Sequence, residues 1–461
     1  MPTTLDCTLF RDIFGTARMR SIFDSRALLQ AWLDAEVAFA EAEAEVGVIP
    51  ADAAARIREV ARAERFDLDL LREQIGESQH PLVPTVRALA EAAGEAGDYV
   101  HWGATTQDIM DTGAVLQVRA ALDLIEPTLE ELLAELAKQA RQHAGTAMVG
   151  RTHGQHAVPI TFGLKLAIWT DELARTRDRL AACRARVLVG QLGGAAGTLA
   201  SLGSDGPAVR AAFCRRLGLG EPATPWHTAR DAFAELVSTL GILAATLEKI
   251  ALEIIRLQAT EVAEASEPPV DGHVGSSTMP QKRNPMISEW VAGVCKLVRG
   301  LVPVMLGLMV GEHERDMAAW SAEWLLVPQA LIMTDAALVQ LLPIVADLRV
   351  DEARMAANLE LTRGAILAEA VMLALGGHVG RERAHTLMMA VTRDAELRGI
   401  HLLQALREHP AASELLSEEE VARLLDPTTY LGEAAGLARA TAERVLGDGA
   451  GTPAAANAVT P

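Results

Sequence analysis

Aromatic side chains are scarce in this chain: they make up 4% of its 461 residues, with only 2 tyrosines and 8 phenylalanines. That scarcity argues against a sheet protein. Strands draw on aromatic and β-branched side chains, whereas the alanine and leucine that abound here favour helices. Cysteine is also rare, and Cys7, Cys183, Cys214 and Cys295 are too far apart in sequence for CxxC-type metal or redox spacing. Positive charge is in deficit: Lys plus Arg is 42 against 61 for Asp plus Glu, a formal net charge of −19. This argues against a nucleic-acid binder or a protein that sits on anionic lipid. The start, MPTTLDCTLFRDIFG, lacks the basic and apolar run of a secretory signal. The longest apolar stretch, Leu301 to Val310, contains Pro303 and Gly307 and falls short of the roughly 18 residues a membrane span needs. A reduced, cytoplasmic protein without a membrane anchor is expected.

What is present is a chain able to bury a core, with 50% hydrophobic and 22% charged residues. Its length predicts about three domain-sized units. The expected divisions are an N-terminal domain over 1–111, a central long-helix domain over 112–350 and a C-terminal domain over 351–461 with a frayed tail from Gly447. The clearest helix runs from Arg230 to about Glu264. Its residues Leu236, Leu240, Leu243, Leu247, Ile250, Ile254 and Leu257 form a heptad stripe. Leu129, Leu132, Leu133 and Leu136 follow Pro127 on another helix ending near Gly145. Leu166, Trp169, Leu173 and Leu180 mark a third over Phe162 to Val187. A fourth runs from Ser25 to Val46, closed by Gly47 and Pro50. Such stripes must bury one another, so an all-α bundle is implied.

One segment breaks the pattern. Residues 265–288 read ASEPPVDGHVGSSTMPQKRNPMIS, with four prolines and no apolar stripe. An irregular stretch this long between strong helices is usually functional. Gly275, Ser276 and Ser277 offer a turn whose backbone N–H groups can face an anion, and Lys282, Arg283 and Asn284 add charge and an amide. A serine hydroxyl becomes a usable base only where such donors stabilise its alkoxide. The same donors suit the aci-carboxylate formed when a proton leaves carbon beside a carboxylate. The stretch GQLGGAAGT at 190–198 follows a helix, so it reads as a tight connection and not a phosphate cradle. HExxH, GxGxxG and GxxxxGK motifs are missing, so no metal and no cofactor is expected.

GSSTMPQKRNP at 275–285 resembles the signature loop of the fumarase/aspartase superfamily. GATTQDIMDTG at 103–113 and GRTHGQHAVPITFG at 150–163 are similar to its other two motif regions, in the same order. The resemblance implies three mainly helical domains, and long central helices that pair into a twenty-helix core in a homotetramer. Each active site would be shared between subunits and would take a small dicarboxylate.

It also implies roles. Ser276 matches the general base that removes the proton. His153 matches the histidine that serves the leaving group, and Glu289 the carboxylate paired with it, which favours imidazolium and holds its tautomer. His80 falls where adenylosuccinate lyases carry a second functional histidine. Thr105, Thr106 and Gln107 resemble a hydroxyl and amide cluster that grips a carboxylate, although Thr105 and Thr106 also suit a helix cap near Gln107. Thr152 and Gln155 flank the histidine. Ser277, Met279, Lys282 and Asn284 complete the substrate contacts.

The branch within the superfamily is read from the flanks. An N-terminal Arg-Tyr pair typical of adenylosuccinate lyases is replaced by Phe14 and Gly15, and Trp324 stands where they carry an arginine. An indole cannot hold a phosphate, so purine nucleotides are disfavoured. FGTARMRSIF, PWHTARD at 225–231 and WSAEW at 320–324 are similar to the 3-carboxy-cis,cis-muconate cycloisomerases. Yet bacterial members of that branch often have tryptophan where this chain has His153, and an amine leaving group needs a proton donor. The leading expectation is therefore carbon–nitrogen cleavage by anti β-elimination from an N-substituted aspartate, releasing fumarate. Lactonising cycloisomerisation is the alternative, and a non-catalytic structural protein on the same scaffold is a third reading.

Overall fold

A computed structural model describes residues 7–269 and 278–448. Its architecture is the expected one: helices dominate, with two small two-stranded antiparallel sheets. Backbone contacts divide the chain into two compact units. One comprises residues 1–129, 175–248 and 290–340, the other 130–174, 249–289 and 341–461.

Helix Ser25–Val46 shows how local chemistry sets the boundaries. The Asp24 side chain accepts the backbone N–H groups of Arg26 and Ala27, and Gly47, at φ 91°, turns the chain off at the other end. The predicted helix over Phe162–Val187 has those limits, and the heptad helix runs Asp231–Gln258. Every residue of the stripe from Leu236 to Leu257 is buried. Full burial of such side chains contributes roughly 1.5–3 kcal/mol each.

Two expectations need correction, and one hairpin was not anticipated. The helix expected to begin after Pro127 begins at Thr106 and runs through the proline to Gln142. Pro127 removes one backbone donor inside it. In the next turn the Thr128 hydroxyl donates to the Leu124 carbonyl at 3.0 Å, and the leucines beyond it are all buried, so packing outweighs the break. The motif at 150–163 forms strands, Ala147–Thr152 and Gln155–Thr161. The irregular segment 265–288 is shorter than read. Ala265–Ser266 pairs with Arg349–Val350, and a helix already begins at Met286.

Helices Met286–Leu308 and Met317–Ala346 are long and apolar enough to cross a bilayer by length and composition, more than the ten-residue run at 301–310 suggested. The second carries the buried acids Glu323 and Asp335. Glu323 is paired with Arg230, and Asp335 accepts the Thr16 hydroxyl at 2.5 Å. Satisfied acids of this kind belong to a protein core, not a lipid-facing surface.

Candidate active site

In the first unit the site residues gather at the start of helix Thr106–Gln142. Asp108, three residues after Thr105, accepts the Thr105 backbone N–H at 3.0 Å, one half of a capping box. The same buried carboxylate accepts the N–H groups of Gly193 and Gly194 at 2.8 and 2.9 Å and meets His227 Nε2 at 2.8 Å. It therefore ties the glycine-rich connection at 190–198 to the helix start. The Thr105 hydroxyl has a different partner. Arg315 Nη2 donates to it at 2.9 Å and to the Ala195 carbonyl at 3.1 Å. A guanidinium beside two threonines at a helix N-terminus is suited to holding a carboxylate. The pairing of Arg315 with Thr105 was not expected, because more than two hundred positions separate them.

His80 belongs to the same cluster. Its Nδ1 accepts the Val83 backbone N–H at 3.3 Å, which leaves the ring proton on Nε2, 3.4 Å from the Thr106 hydroxyl. Gln107 faces inward. Its side chain is fully buried and its amide donates to the His227 carbonyl at 2.9 Å. His101, which precedes the GATTQD motif, is a titratable group that local pattern did not mark. Its φ is 60° and its Nδ1 lies 2.6 Å from Glu36 Oε1. Burial works against its charged form, but the Glu36 carboxylate, reinforced by Asp108, holds its pKa above the ordinary imidazole value.

In the second unit the RTHGQH motif is a β-hairpin. Thr152 and Gln155 face each other across its last rung, and His153 and Gly154 form the two-residue turn at φ 53° and 75°. Positive φ at both positions is the twist that suits a hairpin. It carries His153 to an exposed tip. Below the tip, Arg151 makes a two-pronged ion pair with the fully buried Glu264 at 2.7 and 2.8 Å, and Asn358 donates to the same carboxylate at 2.8 Å.

Ser276 and Ser277 lie outside the described residues. Met279 and Lys282 stand exposed on a turn closed by the Lys282 N–H to the Met279 carbonyl at 3.0 Å; Asn284 is half-buried, and Glu289 lies exposed in the first turn of helix Met286–Leu308. Among the described residues, no ion pair joins Glu289 to His153 within the one chain.

Residues 14–300 match the family described as Lyase, and residues 364–440 match the adenylosuccinate lyase C-terminus. The chain belongs to the fumarase/aspartase superfamily. This superfamily chain is 45% identical over 444 residues to a 3-carboxy-cis,cis-muconate cycloisomerase of Pseudomonas aeruginosa, covering 95% of this chain and 96% of that one. It is 41% identical to an N-acetyl-S-(2-succino)cysteine lyase of Enterococcus italicus, covering 93% and 94%. The solved 3-carboxy-cis,cis-muconate lactonizing enzyme of Pseudomonas putida superposes with a TM-score of 0.91 at 43% identity, covering 95% of this chain and all of the other. The superfamily chain is accordingly an enzyme, a lyase or cycloisomerase.

Proposed function

We propose that the chain is a cofactor-independent enzyme that makes or breaks a carbon–heteroatom bond one carbon away from a carboxylate, with 3-carboxy-cis,cis-muconate as its first candidate substrate. The likeness to lactonising enzymes along nearly the whole chain carries this reading. It ranks above the carbon–nitrogen cleavage that sequence motifs put first. In lactonisation a substrate carboxylate oxygen adds to one alkene carbon. The electron pair moves to the neighbouring carbon, beside a carboxylate, and that carbon takes a proton. Ser276 supplies the proton in this direction and removes it in reverse. Lys282 and Asn284 hold the substrate's carboxylates, with Thr105 and Thr106 beside Arg315 as a second grip. Trp324 packs edge-on against Trp320 at 4.9 Å, which gives a purine-nucleotide phosphate no cation there.

A second reading is favoured by His153. An imidazole at the exposed hairpin tip can give a proton to a departing heteroatom, and one relative's name places a succinyl group on sulphur. Elimination of a thiol or amine from a 2-substituted succinate would release fumarate. Both readings carry with them a cytoplasmic homotetramer of three-domain subunits, with Glu289 meeting His153 and His80 completing a site shared between subunits. The exposed apolar residues Leu297, Val304 and Leu306 on helix Met286–Leu308 support such an assembly.

The test is a product screen by mass. The protein is incubated with 3-carboxy-cis,cis-muconate, and separately with fumarate plus a panel of thiols and amines. Lactone formation supports the first reading, and substituted succinate alone replaces it with the second. Turnover of neither substrate class sinks both.

A further inference from the structure

We propose that Gln258 and Glu267 are positioning residues that clamp the two stems of the signature segment and so set the placement of Lys282, Asn284 and Glu289. The inference rests on the proposed use of those three residues at the active site. Gln258 is the last residue of helix Asp231–Gln258. Its side-chain carbonyl accepts the Glu267 backbone N–H at 2.9 Å, and its side-chain amide donates to the Arg283 carbonyl at 3.0 Å. One primary amide thus bridges backbone on the incoming and outgoing stems, using a donor and an acceptor on separate atoms, which neither an ionised carboxylate nor an ammonium offers. Arg283 lies directly between Lys282 and Asn284, so the bridge holds the peptide that carries both.

Glu267 adds the second tie. Its Oε1 accepts the Ser288 backbone N–H at 2.6 Å. Helix Met286–Leu308 follows Pro285, a residue with no side-chain oxygen to satisfy the free N–H groups of a first turn. Glu267, twenty-one positions upstream, supplies that acceptor and places a negative charge at the positive end of the helix dipole. Glu289 is the next residue, so the cap also sets the turn from which its carboxylate projects. Together the two side chains join the end of one long helix, the incoming stem, the Lys282–Asn284 stretch and the start of the next helix through three hydrogen bonds.

The test uses Gln258→Ala, Glu267→Ala and the conservative Glu267→Gln in the full chain. Amide hydrogen exchange over 280–290 reads the clamp directly, and kcat and KM on whichever substrate the parent turns over read its consequence. Both alanine variants should speed exchange there by at least about tenfold and raise KM by about tenfold or more. Glu267→Gln, which keeps an acceptor oxygen, should recover most of the loss. Exchange within about twofold of the parent in both alanine variants, or faster exchange with kcat and KM unchanged, overturns the proposal. An inactive parent sinks the functional reading instead, while exchange still decides whether the clamp exists.

Discussion

His101 Nδ1 and Glu36 Oε1 lie 2.6 Å apart, joining the loop that precedes the GATTQD motif to the middle of helix Ser25–Val46. The pair holds the His101 pKa above its ordinary value against the opposing effect of burial. Its contribution to stability is therefore complete below the unfolded value of about 6.5 and is lost as pH rises through the folded value. The melting-temperature difference between the parent and Glu36→Gln should be largest at mildly acidic pH and shrink as pH rises through and above the ordinary imidazole value. A difference that stays flat across that range contradicts the pairing.

Glu43, about two helix turns along from Glu36, should behave in the opposite sense on replacement. It is fully buried, neither carboxylate oxygen has a hydrogen-bond partner, and burial, with Glu36 nearby, pushes its pKa up to about 9. The folded protein holds a proton that the unfolded chain releases near its ordinary carboxylate value. The penalty for keeping Glu43 grows as pH rises from there to about 9 and then levels. Glu43→Gln removes this titration. Its stability relative to the parent should climb through neutral and mildly alkaline pH, measured by urea unfolding at several pH values. A gain that does not depend on pH rules the account out.

Arg230 is buried between Asp111 and Glu323, donating to the first at 2.8 and 3.1 Å and to the second at 3.0 and 3.1 Å. Trp320 Nε1 donates to Asp111 as well, at 2.8 Å. Arg230→Met would strand two buried carboxylates, and a loss of about 3–5 kcal/mol is expected in equilibrium unfolding. A loss below about 1 kcal/mol would mean that water or rearranged side chains satisfy the acids.

Ser276→Ala should abolish turnover of whichever substrate the parent accepts while leaving melting temperature and oligomeric state unchanged. An active Ser276→Ala enzyme removes the proposed base. His153→Ala should slow elimination from a substituted succinate far more than lactonisation, since only the former expels a heteroatom that needs a proton. Equal effects on both would assign His153 to binding.

Helix limits were legible where caps and stripes coincide, as at Asp24 and Gly47 or along Leu236–Leu257. They were misread where a strong local signal lost to packing, as at Pro127, whose helix is held by the buried leucines around it. The hairpin at Ala147–Thr161 escaped notice because its His153–Gly154 turn lies inside a motif read for chemistry. Candidate site residues could be named by type when contiguous, as with Thr105 and Thr106, but not their surroundings: Gln107, read with them, turns inward to the His227 carbonyl. Arg315 with Thr105, Asp108's partners, Glu36 with His101, and the Gln258–Glu267 clamp were not legible, because each contact joins chain segments whose pairing only the fold decides.

The turn at His153 and Gly154 is anchored from beneath by Arg151, Glu264 and Asn358, none of which depends on what side chain the tip displays. Position 153 can therefore be varied without loosening its support: a replacement there leaves the Arg151–Glu264–Asn358 anchor in place, so its effect on turnover would report the side chain itself and not a disturbed scaffold.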